Sequence, residues 1–194
     1  MSQILLEAKQ ILLINEVRPL FEPISFTIKR SQRYQLVGIN GVGKSSLLKA
    51  IHSSVIDAGE IIYNIKKAHI GYLPHKMQVY EQLTLAEQLA LFRSMTEVPN
   101  YLSSIIHLLI PPTLKNKNLL QMSQGERQRA CLVLLLTFPL KLVLLDEPSS
   151  HQDESFKNSV ESVIEILLDN DVSVLETSHK ACLKQIIQLE PFHG

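Results

Sequence analysis

Residues 34–52, YQLVGINGVGKSSLLKAIH, combine an apolar run, a glycine-rich turn and a helical repeat of apolar residues in direct succession. The turn from Gly38 to Ser45 matches the pattern G-x-x-x-x-G-K-[ST] and lies between a predicted strand, Tyr34–Val37, and a predicted helix, Lys44–His52. Glycines in such a turn allow successive backbone N–H groups to converge on phosphate oxygens, and the dipole of the following helix adds to the attraction. The stretch therefore predicts a nucleoside triphosphate site.

The side chains at the end of this loop have separate predicted roles. Lys44 reaches the β- and γ-phosphates, and the Ser45 hydroxyl is a ligand for Mg²⁺. The residues predicted to bind the nucleotide are Gly38, Ile39, Asn40, Gly41, Val42, Gly43, Lys44, Ser45 and Ser46.

Two carboxylates follow a second apolar run, in the stretch from Lys141 to Pro148, KLVLLDEP. Ligands of open α/β sheets bind beyond the carboxyl ends of the strands, so Asp146 is expected beside the phosphate loop. There it would hold the Mg²⁺ shell, typically through water. Glu147 is then placed to polarise the attacking water as a general base. An acidic turn that merely closes a core strand is the alternative for this pair.

The periodicity of apolar residues predicts an α/β protein in which a mostly helical segment, residues 84–135, interrupts a layered core. The predicted strands are Ile11–Ile14, Ser25–Ile28, Tyr34–Val37, Glu60–Tyr63, His69–Leu73, Leu142–Leu145 and Ser173–Glu176. The predicted helices are Lys44–His52, Leu85–Ser94, Tyr101–Leu109, Gly125–Thr137 and Glu154–Leu168. We expect one domain over residues 1–194, with the core in residues 1–83 and 136–194.

Composition excludes several classes of protein. The 194 residues carry 19 basic and 19 acidic side chains, so a dedicated nucleic-acid binder is not expected. A hydrophobic fraction of 45% is too high for a disordered chain. Two cysteines, Cys131 and Cys182, cannot form a disulfide framework and indicate a reducing compartment. The amino-terminal residues lack the features of a signal peptide, and no run is apolar enough for a transmembrane helix.

A third motif, MSQGERQR from Met122 to Arg129, precedes an apolar helix, and Asp146 follows Ser123 by twenty-three residues. Together with the phosphate loop and the later TSH triplet that ends at His179, this order resembles that of ABC-type ATPases. The resemblance covers nearly the whole chain. It implies a P-loop NTPase core with a mostly parallel sheet, an amino-terminal antiparallel β part and an inserted helical subdomain.

The resemblance also implies ATP and Mg²⁺ as ligands and a site shared by two copies of the domain. Asp153 would lie in the loop that communicates across this dimer, and His179 would bind the γ-phosphate and help position water with Glu147. The signature residues that would bind the ATP held by a second copy are Ser123, Gln124, Gly125 and Glu126.

Four features differ from the family pattern, one of which is Gln152 in place of the usual Leu of the dimer loop. His75 stands where a metal-contacting Gln is usual, and Gln78 follows three residues later. A His can hydrogen-bond water, but it lacks the paired amide geometry of Gln. Gln124 replaces a common Gly of the signature. Upstream of the phosphate loop, Phe21 is the nearest aromatic candidate to stack on adenine, although packing in the core is the favoured interpretation.

These features predict the ATP-hydrolysing subunit of an ABC transporter, in which ATP closes a dimer and hydrolysis reopens it. Its partners would be a second ATPase domain and separately encoded permease subunits, without nucleic acid, at the cytoplasmic face of the inner or plasma membrane. A weaker likeness connects Arg18 to Phe21, Thr84 and Glu87 with the haem-exporter ATPases of cytochrome c maturation. A soluble ABC ATPase acting on DNA or the ribosome is the alternative, and a P-loop kinase or GTPase is a third.

Overall fold

A computed structural model describes residues 3–74, 80–148, 153–178 and 183–192 of the chain. The strands in these ranges are β1 (Ile4–Leu12), β2 (Ile14–Asn15), β3 (Arg18–Pro19), β4 (Ile24–Lys29), β5 (Arg33–Val37), β6 (Ala58–Tyr63), β7 (Ile70–Leu73), β8 (Leu142–Leu145), β9 (Ser173–Ser178) and β10 (Ile186–Gln188). The α-helices are α1 (Lys44–Ser53), α2 (Leu85–Met95), α3 (Leu102–Leu109), α4 (Gln124–Leu135) and α5 (Glu154–Asp169).

Five strands form a parallel sheet in the order β10-β5-β9-β8-β7. All four residues of β8 are buried, as expected for a strand covered on both faces. In the register of β5 against β9, Val37 pairs with Ser178. Leu145, the last residue of β8, pairs with Glu176. The segments that follow β5, β8 and β9 therefore leave the sheet at the same edge, and the predicted α/β class is confirmed.

The amino-terminal part of the chain forms a separate antiparallel sheet in the order β4-β1-β6. Its central strand, β1, begins seven residues before the predicted strand Ile11–Ile14, so that boundary was wrong. The reason is irregular register: β1 shifts against both neighbours, and Gln10 has a positive φ of 51°. Such bulges break the alternation by which a strand is recognised in sequence. Opposite the bulge, a Cβ on Gly59 would collide with the backbone of Gln10.

All five predicted helices are present, with ends that differ from the prediction by no more than two residues. Helices α2 and α4 begin with capping boxes, in which Thr84 and Ser123 pair with Glu87 and Glu126. Helix α3 packs against both α4 and α5. One continuous apolar cluster joins residues of α2, α3 and α4 to α5 and to one face of the parallel sheet. The division of the chain into a core and a helical part at residues 84–135 stays a prediction.

No helix within the described residues is long and apolar enough to cross a membrane.

Candidate nucleotide-binding site

The phosphate loop connects the end of β5 to the start of α1. Gly41 and Gly43 have φ angles of 79° and 105°, which place both residues in the left-handed region that favours glycine. Gly43 is the N-cap of α1, and within the described residues no side chain caps this helix. The first N–H groups of α1 are therefore left to the loop and to a bound anion, which is the arrangement that phosphate-binding loops use.

Lys44 lies at the first position of α1 and is 7% exposed. Its ammonium donates hydrogen bonds to the carbonyl oxygens of Gly38, at 2.8 Å, and Ile39, at 3.1 Å. The loop thus folds around the cation that is predicted to meet the phosphates. The positive charge is held by backbone dipoles, without a carboxylate partner in the described residues.

A cavity of about 460 Å³ opens over the loop. It brings most of the predicted nucleotide-binding residues together with the predicted general base, and its lining is Asn40, Gly41, Gly43, Lys44, Ser45, Ser46 and Glu147. The other predicted loop residues lie elsewhere. Val42 is buried in the core, and Ile39 is 64% exposed at the tip of the loop. Gly38 is packed against Val42 and Leu189, where a Cβ would come within 2.8 Å of the Val42 side chain.

Asp146 and Glu147 follow β8 and are held by a residue of β9. The Thr177 hydroxyl donates to Asp146 Oδ1 at 3.0 Å and accepts the backbone N–H of Glu147 at 2.7 Å. Asp146 is 6% exposed, so these bonds are largely shielded from water. Glu147 has a φ of 50°, a conformation that costs a non-glycine residue about 1–2 kcal/mol. Thr177 therefore orients both carboxylates and helps offset that cost.

Tyr72 on β7 approaches Asp146 from the other side. Burial, together with the charge and hydrogen bonding of Asp146, raises the pKa of the Tyr72 phenol to about 12. The phenol stays protonated at neutral pH and donates to the carboxylate. Sequence reasoning assigned no role to Thr177 or Tyr72. The Thr177–Asp146 bond spans 31 residues. The sequence indicated it only in that each residue directly follows a predicted strand.

A second cavity, of about 480 Å³, adjoins the first and shares Gly41, Gly43 and Ser46 with it. Most of its other lining comes from the segment around β2 and from α1 and the turn after it: Leu13, Ile14, Asn15, Lys49, Val55 and Asp57. No described aromatic side chain lines it. Phe21 is fully buried and packs near Gly43, which confirms the favoured interpretation that it belongs to the core.

The signature residues lie at the start of α4. The Ser123 hydroxyl accepts the backbone N–H of Glu126 at 3.2 Å, and the Glu126 carboxylate accepts the backbone N–H of Ser123 at 2.8 Å. Lys117 forms an ion pair with the same carboxylate at 3.1 Å. The hydrogen bond from the Ser123 amide, and to a smaller extent the hydrogen bond from Lys117, hold the pKa of Glu126 below its ordinary value. Gln124 and Gly125 form the first helical residues after the cap.

Asp153, the predicted dimer-loop acid, is the N-cap of α5, and its Oδ1 accepts the backbone N–H of Phe156 at 2.7 Å. Arg129 of α4 lies 4.0 Å from the same carboxylate. His75 and His179, which the sequence assigned to the site, lie outside the described residues, as does the nearby Gln78.

Comparison with known proteins agrees with this arrangement. The family model described as ABC transporter matches residues 21–150. The chain is 28% identical, over 189 residues, to the cytochrome c biogenesis ATP-binding export protein CcmA of Vibrio vulnificus, covering 91% of this chain and 92% of that protein. It is 27% identical to ABC transporter G family member 20 of Dictyostelium discoideum over 171 residues, covering 80% of this chain but spanning only 23% of that relative.

Among solved structures, a putative ABC transporter ATP-binding protein from Pyrococcus furiosus superposes with a TM-score of 0.80. The two share 28% sequence identity, and the match covers 95% of this chain and 96% of the other. The family model spans more than half of the chain and includes the phosphate loop, the signature segment and both carboxylates after β8. The chain therefore belongs to the ABC transporter family, as an ATP-binding domain of the kind that hydrolyses ATP.

Proposed function

We propose that this chain is the ATP-hydrolysing subunit of an ABC transporter and that it works as a head-to-tail dimer. The observation that carries the proposal is the composition of the phosphate cavity. That cavity contains the loop, Lys44 and Glu147, but no described residue of α4 lines it. Ser123 and Gly125 can then act on a nucleotide only if it is bound by another copy of the domain.

ATP binding begins with its phosphates in the loop. The N–H groups at the start of α1 donate to phosphate oxygens, and the dipole of the helix favours their negative charge. The Lys44 ammonium already lies over the loop, on the carbonyl oxygens of Gly38 and Ile39. Exchange of these carbonyls for the β- and γ-phosphate oxygens replaces neutral acceptors with charged ones, which make stronger hydrogen bonds.

The donor set fits a magnesium ion. Mg²⁺ binds in proteins through one or two oxygen ligands, together with water and the phosphates of its nucleotide. Ser45 supplies a hydroxyl in the phosphate cavity, and Asp146 supplies a buried carboxylate beside it, held by Thr177. Within the described residues no cluster of three or more His, Cys, Asp or Glu side chains could hold a metal ion. When bound, Mg²⁺ would neutralise charge on the β- and γ-phosphates.

Glu147 provides the group that orients and deprotonates water. Its side chain lines the phosphate cavity, while its backbone is fixed by Thr177. In hydrolysis the water oxygen attacks the γ-phosphorus, the bond from that phosphorus to the bridging oxygen breaks, and Glu147 accepts the proton of the water. Lys44 and the amides of the loop stabilise the charge that gathers on the leaving ADP.

The base of the nucleotide fits the second cavity, because it adjoins the phosphate site and has apolar walls formed by Leu13, Ile14 and Val55. Those walls are aliphatic, so the base would pack against methyl and methylene groups instead of stacking on a ring. Base selectivity is then expected to be loose.

The start of α4 completes the site from the opposite copy. A helix start presents N–H donors to an anion, and a hydroxyl that accepts one hydrogen bond can still donate another. Ser123 accepts the Glu126 amide and would donate to the γ-phosphate of ATP held by its partner. Closure then requires ATP in the interface, and hydrolysis removes the bridging phosphate.

Separately encoded permease subunits would convert closure and reopening into transport, with this chain at the cytoplasmic face of the membrane. A role in export for cytochrome c maturation is the more specific candidate. It is favoured by the similarity to the Vibrio protein over nine-tenths of both chains. Genes for permeases and haem-handling proteins next to this gene would support that role, whereas permease genes accompanied by a solute-binding protein would contradict it.

The experiment that tests the proposed dimer uses Glu147→Gln. The variant keeps the shape of the side chain but cannot accept a proton, so we expect an ATP-dependent dimer in size-exclusion chromatography with little turnover. Unaltered hydrolysis would exclude Glu147 as the base. In the unmodified protein, the ATPase rate should rise more steeply than linearly with protein concentration. A rate strictly linear in concentration would contradict the shared site.

A further inference from the structure

Helix α4 is hydrogen-bonded directly to Pro148, the residue that follows the proposed general base, Glu147. The side-chain amide of Gln128 donates to the carbonyl oxygen of Pro148 at 2.7 Å. The two residues are 20 positions apart in sequence, so this is a tertiary contact and not a local turn. Gln128 lies five residues after Ser123 on the same rigid helix. The start of α4 and Pro148 are therefore linked by a direct hydrogen bond.

Pro148 follows Glu147, whose backbone is in the left-handed region. The Thr177 hydroxyl accepts the N–H of Glu147 itself, and the Gln128 amide donates to the carbonyl oxygen of the next residue, Pro148. A strained conformation persists only when its surroundings determine it from more than one side. The bond from Gln128 supplies the second of these restraints, and it comes from the helix that carries the signature residues.

The neighbouring residue on α4 reinforces the connection. The Arg129 guanidinium lies 4.7 Å from the centre of the Phe156 ring and 4.0 Å from the Asp153 carboxylate. Arg127 points elsewhere, since it binds the carbonyl of Leu119 and the carboxylate of Glu81. Gln128 and Arg129 thus contact the segments on both sides of residues 149–152.

We propose that Gln128 is a positioning residue that couples the signature end of α4 to Glu147 of the same chain. This inference rests on the proposed dimer. In that dimer, the ATP contacted by α4 of one chain is held by the phosphate loop of its partner, whereas Glu147 of the first chain acts on the ATP in its own loop. Binding at one site then orients the general base of the other, so the Gln128–Pro148 hydrogen bond of each chain helps to couple the two hydrolysis sites.

The test compares Gln128→Met with Gln128→Lys in the full chain. Met is unbranched and of similar length but has no donor, whereas Lys can place an N–H at the Pro148 carbonyl. We expect Gln128→Met to lower kcat about tenfold, because loss of a partly buried hydrogen bond has an effect of that size. The KM for ATP should stay within about twofold, since the phosphate loop is untouched. Gln128→Lys should restore most of kcat, which a role in packing alone would not predict.

Gln3→Lys is the control for added charge, because Gln3 is exposed in the antiparallel part of the chain. Thermal melting establishes that each variant is folded. If Gln128→Met is not folded, Gln128→Glu replaces it as an isosteric variant that lacks the N–H donor. Wild-type kcat in the variants without a donor, or an equal loss in Gln128→Lys, would overturn the coupling. If the unmodified protein neither bound nor hydrolysed ATP, the proposed function itself would be wrong, and the coupling rests on that function.

Discussion

Helices α1 and α4 both begin at a predicted phosphate-binding position, but their first turns are built differently. Gly43 caps α1, and within the described residues that turn contains no acidic residue and has no side-chain cap. Ser123 caps α4, and the Glu126 carboxylate occupies the cap and binds Lys117. The start of α1 is thus open to an external anion and has a cation beside it in Lys44. The start of α4 already carries an anion of its own.

This difference explains a division of labour within the proposed dimer. An open helix start with a lysine can bind nucleotide without help, so α1 provides the affinity of the isolated chain for ATP. A helix start that is already capped by a carboxylate attracts phosphate less strongly. Helix α4 then contributes only when a second copy delivers ATP to it. Each prediction below changes one of these two helix starts, or the carboxylates beside them.

The largest effect is expected for Lys44→Ala. The substitution removes the only cation that lines the phosphate cavity among the described residues, and with it the charge-assisted bonds proposed to the β- and γ-phosphates. We expect the affinity for ATP to fall more than about 100-fold, from contacts worth roughly 3 kcal/mol. Titration with a fluorescent ATP analogue measures this affinity. Lys66→Ala removes an exposed lysine that lines neither of the two cavities, and this variant should bind ATP normally. Equal affinity in both variants would show that α1 binds phosphate through its amides alone.

Gly125→Asp should separate the two helix starts. An acidic residue in a first turn suits the dipole of the helix, so the fold is retained, but a second carboxylate beside Glu126 repels the γ-phosphate from a partner. We expect binding of ATP by the monomer to stay within about twofold and kcat to fall about 100-fold, as for loss of a transition-state contact. Gly125→Asn is the uncharged control. Weaker binding of ATP by monomeric Gly125→Asp would contradict the assignment of α4 to the other site.

Thr177→Val tests the carboxylate pair at the loop. The variant keeps the shape of the side chain but removes the hydroxyl that serves Asp146 and the Glu147 amide. We expect kcat to fall about tenfold and the free energy of unfolding to fall by about 1–3 kcal/mol, because two largely buried polar groups lose a partner. Assays of hydrolysis and chemical denaturation measure these quantities. Thr177→Ser retains the hydroxyl and should stay close to wild type. A loss of stability without a loss of kcat would show that Thr177 stabilises the fold but does not orient the carboxylates for hydrolysis.

The parts of this protein that could be predicted from sequence are those specified by short-range patterns. The phosphate loop lies within eight residues, the four-residue strand β8 is uniformly apolar, and the capping boxes have their partners three positions apart. In each case the physical constraint acts between near neighbours. Helix ends and the α/β class followed directly from such patterns.

What could not be predicted depends on contacts between distant segments. Strand β1 has a bulge at Gln10, and β10 has only three residues, so neither shows a clear alternation. The bonds from Thr177 to Asp146 and from Gln128 to Pro148 join segments 31 and 20 residues apart. The first bond depends on the order of the strands in the sheet, and the second depends on how α4 packs against the sheet. Candidate catalytic residues could therefore be proposed from sequence, while the contacts that orient Asp146 and Glu147 could not.

The smallest effect, and the sharpest test of the contrast between α1 and α4, is expected for Glu126→Gln. Gln can still complete the capping box, so α4 keeps its cap while losing its negative charge. A charge at an exposed helix start is worth about 0.3–1 kcal/mol. If the Glu126 carboxylate weakens the attraction of α4 for phosphate, its removal should tighten ATP-dependent dimerisation about two- to fivefold in analytical ultracentrifugation of Glu147→Gln protein. Glu87→Gln makes the same change in the matching capping box of α2 and should leave dimerisation unaltered. Weaker dimerisation in Glu126→Gln would mean that the pair formed by Glu126 and Lys117 helps to bind the partner's nucleotide, and it would contradict the view that the carboxylate weakens the attraction of α4 for phosphate.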